Sequence, residues 1–191
     1  MVKRLFKSQA HWHAWLEKNH LEPDGVWVHF AKKGTGAVTV TYPEALETAL
    51  CFGWIDGQTK THDEKTFVRK FTPRRARSVW SKINREKAEA LIKSGRMKSA
   101  GLQAIEKARA DGRWDTAYDS ARTITVPPDF QAALDKSKSA TAFFAKLDRA
   151  NRYSVLWRIQ TARTGELRAK RIASIVAMLT KKETFHPELL K

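Results

Sequence analysis

Residues 71–84 read FTPRRARSVWSKIN and set Arg74, Arg75, Arg77 and Lys82 among Ser78, Ser81 and Asn84 at a junction between a strand-like and a helix-like stretch. Guanidinium forks match the paired oxygens of a phosphate, so this combination points to anion binding. Serine hydroxyls, an asparagine amide and the open N–H groups of a starting helix can complete such a cradle. Trp80 can stack a nucleic-acid base there. A plainer reading uses the same residues: solvated arginines, Ser78 or Ser81 as a helix cap, and Trp80 in the core.

The charge distribution favours a directed partner. The 191 residues carry a net charge of +16, yet the first 60 hold 7 basic and 6 acidic side chains. Residues 69–98 hold 11 Lys or Arg against Glu86 and Glu89. Clustering of one sign suits nucleic acid or another phosphate-rich anion; an acidic protein or an anionic lipid surface is the alternative partner. A second basic group, Arg163, Arg168, Lys170 and Arg171, straddles the start of the last helix around Glu166. It reads either as a secondary anion patch or as a solvated helix face opposite an apolar stripe.

Other chemistries are poorly served. Tyr42, Trp54, Asp56 and Trp80 can line a pocket in which Asp56 acts as a general base or orients an arginine; a structural ion pair is the simpler role. His11 and His13 are two apart, which on a helix points them to different sides, and no other histidine spacing suggests a metal site. The single cysteine, Cys51, sits in the apolar run ALCFGW and reads as a buried thiol. There is no GxxxxGK[ST], GxGxxG or GxSxG. The expectation is a protein without metal or cofactor, and a binding module before an enzyme. No stretch reaches the length of a membrane span, and MVKRLFKSQAHW leads into no signal-like apolar run, so a cytoplasmic chain is expected.

The elements that must position these residues can be read from period and punctuation. Ser8 caps a short helix bearing Trp12, Trp15 and Leu16, which EPDG ends. GVWVHFAKK alternates as a strand, and KKGTGAVTV reads as a turn into a second short strand. Thr41 to Glu44, TYPE, is a capping box starting a helix that Gly53 stops. WIDGQTKTHDEKTFVRKF reads as a hairpin around THDEK. A helix is expected over about 79–94 and another from a Ser99 cap to Gly112. Residues 112–128 read as an ordered connection. Beyond them the patterns are helical, with Ile172, Ile175, Val176 and Leu179 on one face of the last helix and a mobile tail KKETFHPELLK. The fold class is α+β: a small antiparallel sheet packed with helices, then an all-helical C-terminal portion. The portions span residues 1–122 and 123–191.

YPEALETALCFGWIDGQ, FTPRRARSVWSKIN, GRMKSAGLQAIEKARADGRW and LRAKRIASIV together resemble the bacterial YdeI/OmpD-associated family, also called bacteriocin-protection proteins. The likeness runs from about Trp12 to Leu179. It implies an α+β N-terminal portion and a helical C-terminal portion, and a role in protection or envelope stress rather than a reaction. Where that family carries Glu-Thr-Arg, this chain reads Glu166, Leu167, Arg168, which removes one hydroxyl from that motif. The N-terminal portion is also distantly similar to YjbR- and frataxin-like proteins, but the acidic ridge that holds iron in frataxins is missing. Three classes of function follow: an anion-binding module, a protein-interaction factor, and a small-molecule enzyme using Asp56, Tyr42 and the arginines.

Overall fold

The computed structural model describes residues 2–189. The chain forms two compact units, one built from the chain up to Trp80 with Asn84–Asp115, the other from Ser81–Ile83 with the chain from Thr116 onward.

The first unit is the α+β one. Its strands are β1 (Lys3–Arg4), β2 (Val26–Ala31), β3 (Trp54–Thr61) and β4 (Thr66–Pro73), in the spatial order β1-β2-β4-β3. β2, β4 and β3 run antiparallel, but β1 joins β2 in parallel, so the sheet is mixed and not purely antiparallel. A two-residue strand has no period to read, which is why the sequence does not announce β1. The second strand expected within residues 32–40 does not form. Gly34 and Gly36 take positive φ, and the segment instead binds through Val40 N–H to Phe6 O and through the Thr39 hydroxyl, which accepts from Ala31 N–H.

Local signals set the remaining boundaries. The Ser8 side chain accepts from His11 N–H and starts α1 (Gln9–Asn19). The Glu44 carboxylate accepts from Thr41 N–H at 2.9 Å and starts α2 (Tyr42–Cys51). This bond to the Thr41 hydroxyl and N–H holds the Glu44 carboxyl below its ordinary range. The β3–β4 hairpin turns without Asn-Gly because Asp63 Oδ1 accepts from both Lys65 and Thr66 N–H, at 2.8 and 2.6 Å. Trp12 and Leu16, four apart on α1, are buried with Trp54, Phe71 and Leu50. Their polar edges are satisfied: Trp12 Nε1 donates to Ala45 O at 3.0 Å and Trp54 Nε1 to His20 O at 2.7 Å. Burying each tryptophan removes roughly 150–250 Å² from water. At about 25 cal/mol per Å², that contributes several kcal/mol apiece before entropy.

Two further helices complete this part of the chain, α3 (Lys82–Lys93) and α4 (Ser99–Ala110). α3 begins three residues later than expected, and the N-cap of α4 is Lys98 with Ser99 as the first helical residue.

The second unit holds α5 (Pro128–Leu134), α6 (Lys138–Lys146), α7 (Arg149–Gln160) and α8 (Gly165–Thr180). Phe130, Leu134, Phe144, Leu156, Ile159, Ile172, Ile175 and Leu179 form its core. Ser137, Asp148 and Thr164 cap α6, α7 and α8 through their side chains. The tail expected to be mobile is instead tied down: Asn151 accepts from His186 N–H and donates to His186 O, both at 3.0 Å. The last two residues of that stretch, 190 and 191, lie outside the described residues. Among the described residues, no helix is long and apolar enough to cross a membrane.

Candidate anion site

β4 delivers the arginine cluster. Arg74 N–H donates to Gly53 O at 2.9 Å, pinning the strand exit beside the end of α2. The next residues close a tight turn in which Ser78 N–H donates to Arg75 O and Ser78 Oγ accepts from Arg75 N–H, both at 2.9 Å. Ser78 is thus a turn former, which leaves its hydroxyl turned toward its own loop.

Beyond the turn, Trp80 is 1% exposed and packs edge-on against Trp114, ring centroids 4.9 Å apart. The Arg74 guanidinium lies over the Trp80 ring at 3.4 Å from its centroid and donates through Nη1 to Val79 O at 3.2 Å. Arg113 is fixed as firmly: its Nε lies 2.7 Å from both Asp111 oxygens and its Nη1 donates to Ser78 O at 2.7 Å. α4 adds Ala104 and Lys107, three apart and so on one face.

Arg74, Arg75, Ala76, Ala104, Lys107 and Arg113 surround a pocket of about 110 Å³. Four of its six lining residues are cationic and none is acidic. Two of the cations, Arg74 and Arg113, are preorganised by backbone carbonyls and an aromatic or carboxylate neighbour. The other two, Arg75 and Lys107, are exposed and reach in from the turn and from α4. Sequence reading found Arg74 and Arg75 but not Lys107 or Arg113, which stand some 30 residues further on. The one available signal was Arg113 following Gly112 in ADGRW, a turn that brings a cation back beside a tryptophan.

The other expected anion ligands go elsewhere. Arg77 is exposed and does not line the pocket. Ser81 forms a β-bridge with Tyr118. Lys82 is committed within the second unit: its N–H donates to Tyr118 O and its Nζ sits 2.8 Å from Asp119 Oδ1. Burial by itself raises the Asp119 carboxyl, but hydrogen bonds from Lys82 and Gln160 and the Lys82 charge more than offset it and hold it below the ordinary carboxylate value. Asn84 is half-buried in the first turn of α3 and does not line the pocket.

Tyr42 and Asp56 do come together, as an ion-pair cluster. Tyr42 Oη donates to Asp56 Oδ2 at 3.0 Å, Arg69 Nη1 pairs with the same oxygen at 2.5 Å, and the Arg69 guanidinium lies 4.3 Å from the Tyr42 ring centroid. Burial, reinforced by the Asp56 charge, pushes the Tyr42 hydroxyl up to about 12. Asp56 therefore orients an arginine, with both of its partners occupying one oxygen. Trp54 and Trp80 are core residues, 0% and 1% exposed.

The second basic group is mostly structural. Arg168 makes a two-pronged pair with Asp129, at 2.6 and 2.9 Å, and its Nη1 donates to Ile159 O. Arg171 Nη1 donates to Arg158 O and Thr161 Oγ1. These two arginines satisfy carbonyls near the C-terminal end of α7, where cations also meet the negative end of the helix dipole. They do not stand on a solvated face opposite the apolar stripe, because the return of the chain into α8 folds them under α7. Lys170 pairs with Glu166 one turn away at 2.7 Å, in full view of solvent, and Arg163 is exposed. Among the described residues, no cluster of three or more His, Cys, Asp or Glu has metal-binding geometry. Cys51 is buried, and burial raises its thiol above the ordinary value.

Residues 4–104, just over half of the chain, match the family model described as a domain of unknown function (DUF8412). Residues 123–182 match the model described as bacteriocin-protection, YdeI or OmpD-associated. The second match covers the helical portion, whereas the sequence motifs that suggested it begin near Trp12. No curated protein and no solved structure matches the chain.

Proposed function

From the premise that the chain belongs to the family of the domain of unknown function DUF8412, we propose that it is a basic anion-binding module for phosphate-bearing ligands, nucleic acid foremost, acting in the cytoplasm. The observation that carries this reading is the pocket between the β4 exit and α4, where Arg74, Arg75, Lys107 and Arg113 line one concavity, with Arg113 paired to Asp111. Arg74 and Arg113 are fixed by protein partners and lend standing charge to the pocket, while the exposed Arg75 and Lys107 can close on the anion. The wider excess of positive charge in residues 69–98 draws anions toward it.

Fluorescence anisotropy of a 3′-labelled oligonucleotide that carries a 5′-phosphate, titrated at several salt concentrations, tests the proposal. The logarithm of affinity should fall linearly with the logarithm of salt, with a slope of about 0.7–0.9 per phosphate neutralised. The Arg75→Gln/Lys107→Gln variant should bind at least tenfold more weakly. Affinity indifferent to salt, or unchanged in that variant, rejects the reading.

A second reading rests on the helical portion. Its match to the bacteriocin-protection, YdeI or OmpD-associated model favours a protective role through a protein partner. Affinity capture with and without nuclease treatment separates the two, since a partner retained after nuclease is not held through nucleic acid.

A further inference from the structure

We propose that the Arg74–Arg75–Lys107–Arg113 pocket is specific for a terminal phosphate, a phosphomonoester, and rejects the internal phosphodiesters of a nucleic-acid backbone. This inference rests on the anion-binding reading above and narrows it to one chemical class.

Size is the first argument. The pocket measures about 110 Å³. Sites that enclose a nucleotide or a drug-sized ligand run to roughly 300–1,000 Å³. A single tetrahedral oxyanion fits, and the base and sugar must stay outside.

Charge and valence are the second. A monoester at neutral pH carries close to two negative charges and three terminal oxygens, all strong acceptors. An internal diester carries one charge and two such oxygens, and must lead two ester arms out of the pocket. Arg75 and Lys107, exposed at the pocket, offer donors to the terminal oxygens, and the charges of Arg74 and Arg113 beside them favour the dianionic monoester over the monoanionic diester.

Preorganisation is the third. Arg74 is held by Trp80 and Val79 O, and Arg113 by Asp111 and Ser78 O, so two of the four charges at the pocket are fixed before binding and only Arg75 and Lys107 must be ordered by the ligand. Two of the lining residues are small, Ala76 in the exposed turn and Ala104 on α4, so bulkier side chains at these positions would fill the space. The ligand's bearer, a nucleic-acid 5′ end or a phosphorylated metabolite, is left to the part that protrudes.

The test uses the full chain and calorimetric titration with phenyl phosphate, methyl phenyl phosphate, glucose 6-phosphate, and oligodeoxythymidine with a 5′-phosphate or a 5′-hydroxyl. Phenyl phosphate should bind at least tenfold more tightly than methyl phenyl phosphate. Whichever of the phosphorylated oligonucleotide and the sugar phosphate binds more tightly identifies the bearer. Arg75→Gln/Lys107→Gln should remove the preference for monoester. Ala76→Glu, at an exposed turn position, should do the same by placing a carboxylate at the rim, with circular dichroism verifying that both variants stay folded. Equal affinity for monoester and diester overturns the inference while leaving general anion binding intact. If none of the five ligands binds, the inference and the reading beneath it both fall. A monoester preference that survives in both variants also overturns it, because the site then lies elsewhere.

Discussion

The Arg74 guanidinium rests 3.4 Å from the centroid of the Trp80 ring, so a cation supplied by a strand exit is held by an indole that is itself core. Binding geometry and folding are coupled through this pair. Cation–π contacts contribute about 1–2 kcal/mol when partly desolvated. Arg74→Met, which keeps the length and drops the charge, should lower stability by about that much. Trp80→Ala should cost about 3–5 kcal/mol through the cavity it leaves. Urea unfolding followed by circular dichroism measures both. An Arg74→Met variant as stable as the parent would show that the stacking is passive.

Gly25 precedes β2 with φ +72°, and a Cβ there would lie 2.1 Å from Phe71 O. Gly34 has φ +81° with no neighbouring atom within 4 Å. Left-handed backbone costs an L-residue about 1–2 kcal/mol. Gly34→Ala should therefore lose about 1 kcal/mol, while Gly25→Ala adds a clash with the neighbouring strand and should exceed about 3 kcal/mol. Thermal melts of the two variants check the contrast, and similar losses would refute it.

Arg168 and Lys170 are two residues apart on α8 and should behave differently. Arg168 bonds Asp129 and a carbonyl of α7, and the pairing holds the Asp129 carboxyl low. Lys170 pairs with Glu166 at high exposure. Arg168→Ala should destabilise by about 1–2 kcal/mol, by loss of charge-assisted bonds. Lys170→Ala should stay within about 0.5 kcal/mol. Denaturant midpoints decide, and a larger loss for Lys170 would contradict the assignment.

Acid should weaken the second unit through Asp119. Its carboxyl is held below the ordinary value in the folded protein, so it favours folding while ionised in both states. That contribution is complete above the unfolded value of about 3.9 and disappears as pH falls through the lower folded value. Asp119→Asn should therefore reduce stability at pH 7 and have a diminishing effect toward pH 2. A penalty that stays constant across that range would mean that the Lys82 and Gln160 contacts act through shape and not charge.

What could be read from residue order was what depends on neighbours three or four positions away. Ser8, the Thr41–Glu44 box and the Gly53 stop are all such bonds, and the α+β to helical progression follows from their spacing with the apolar period. The basic cluster was also legible, because cation density needs no partner. Tertiary structure decided which cations are available to a ligand. Lys82 and Arg168 look like anion ligands until the chain brings Asp119 and Asp129 beside them. Lys107 looks like an ordinary surface charge until α4 returns to the end of β4, where Arg113, itself committed to Asp111 and Ser78 O, adds its charge to the same pocket. The physical reason is reach: a helix cap is closed within one turn, but a charge is committed or left open by whichever distant segment arrives next to it.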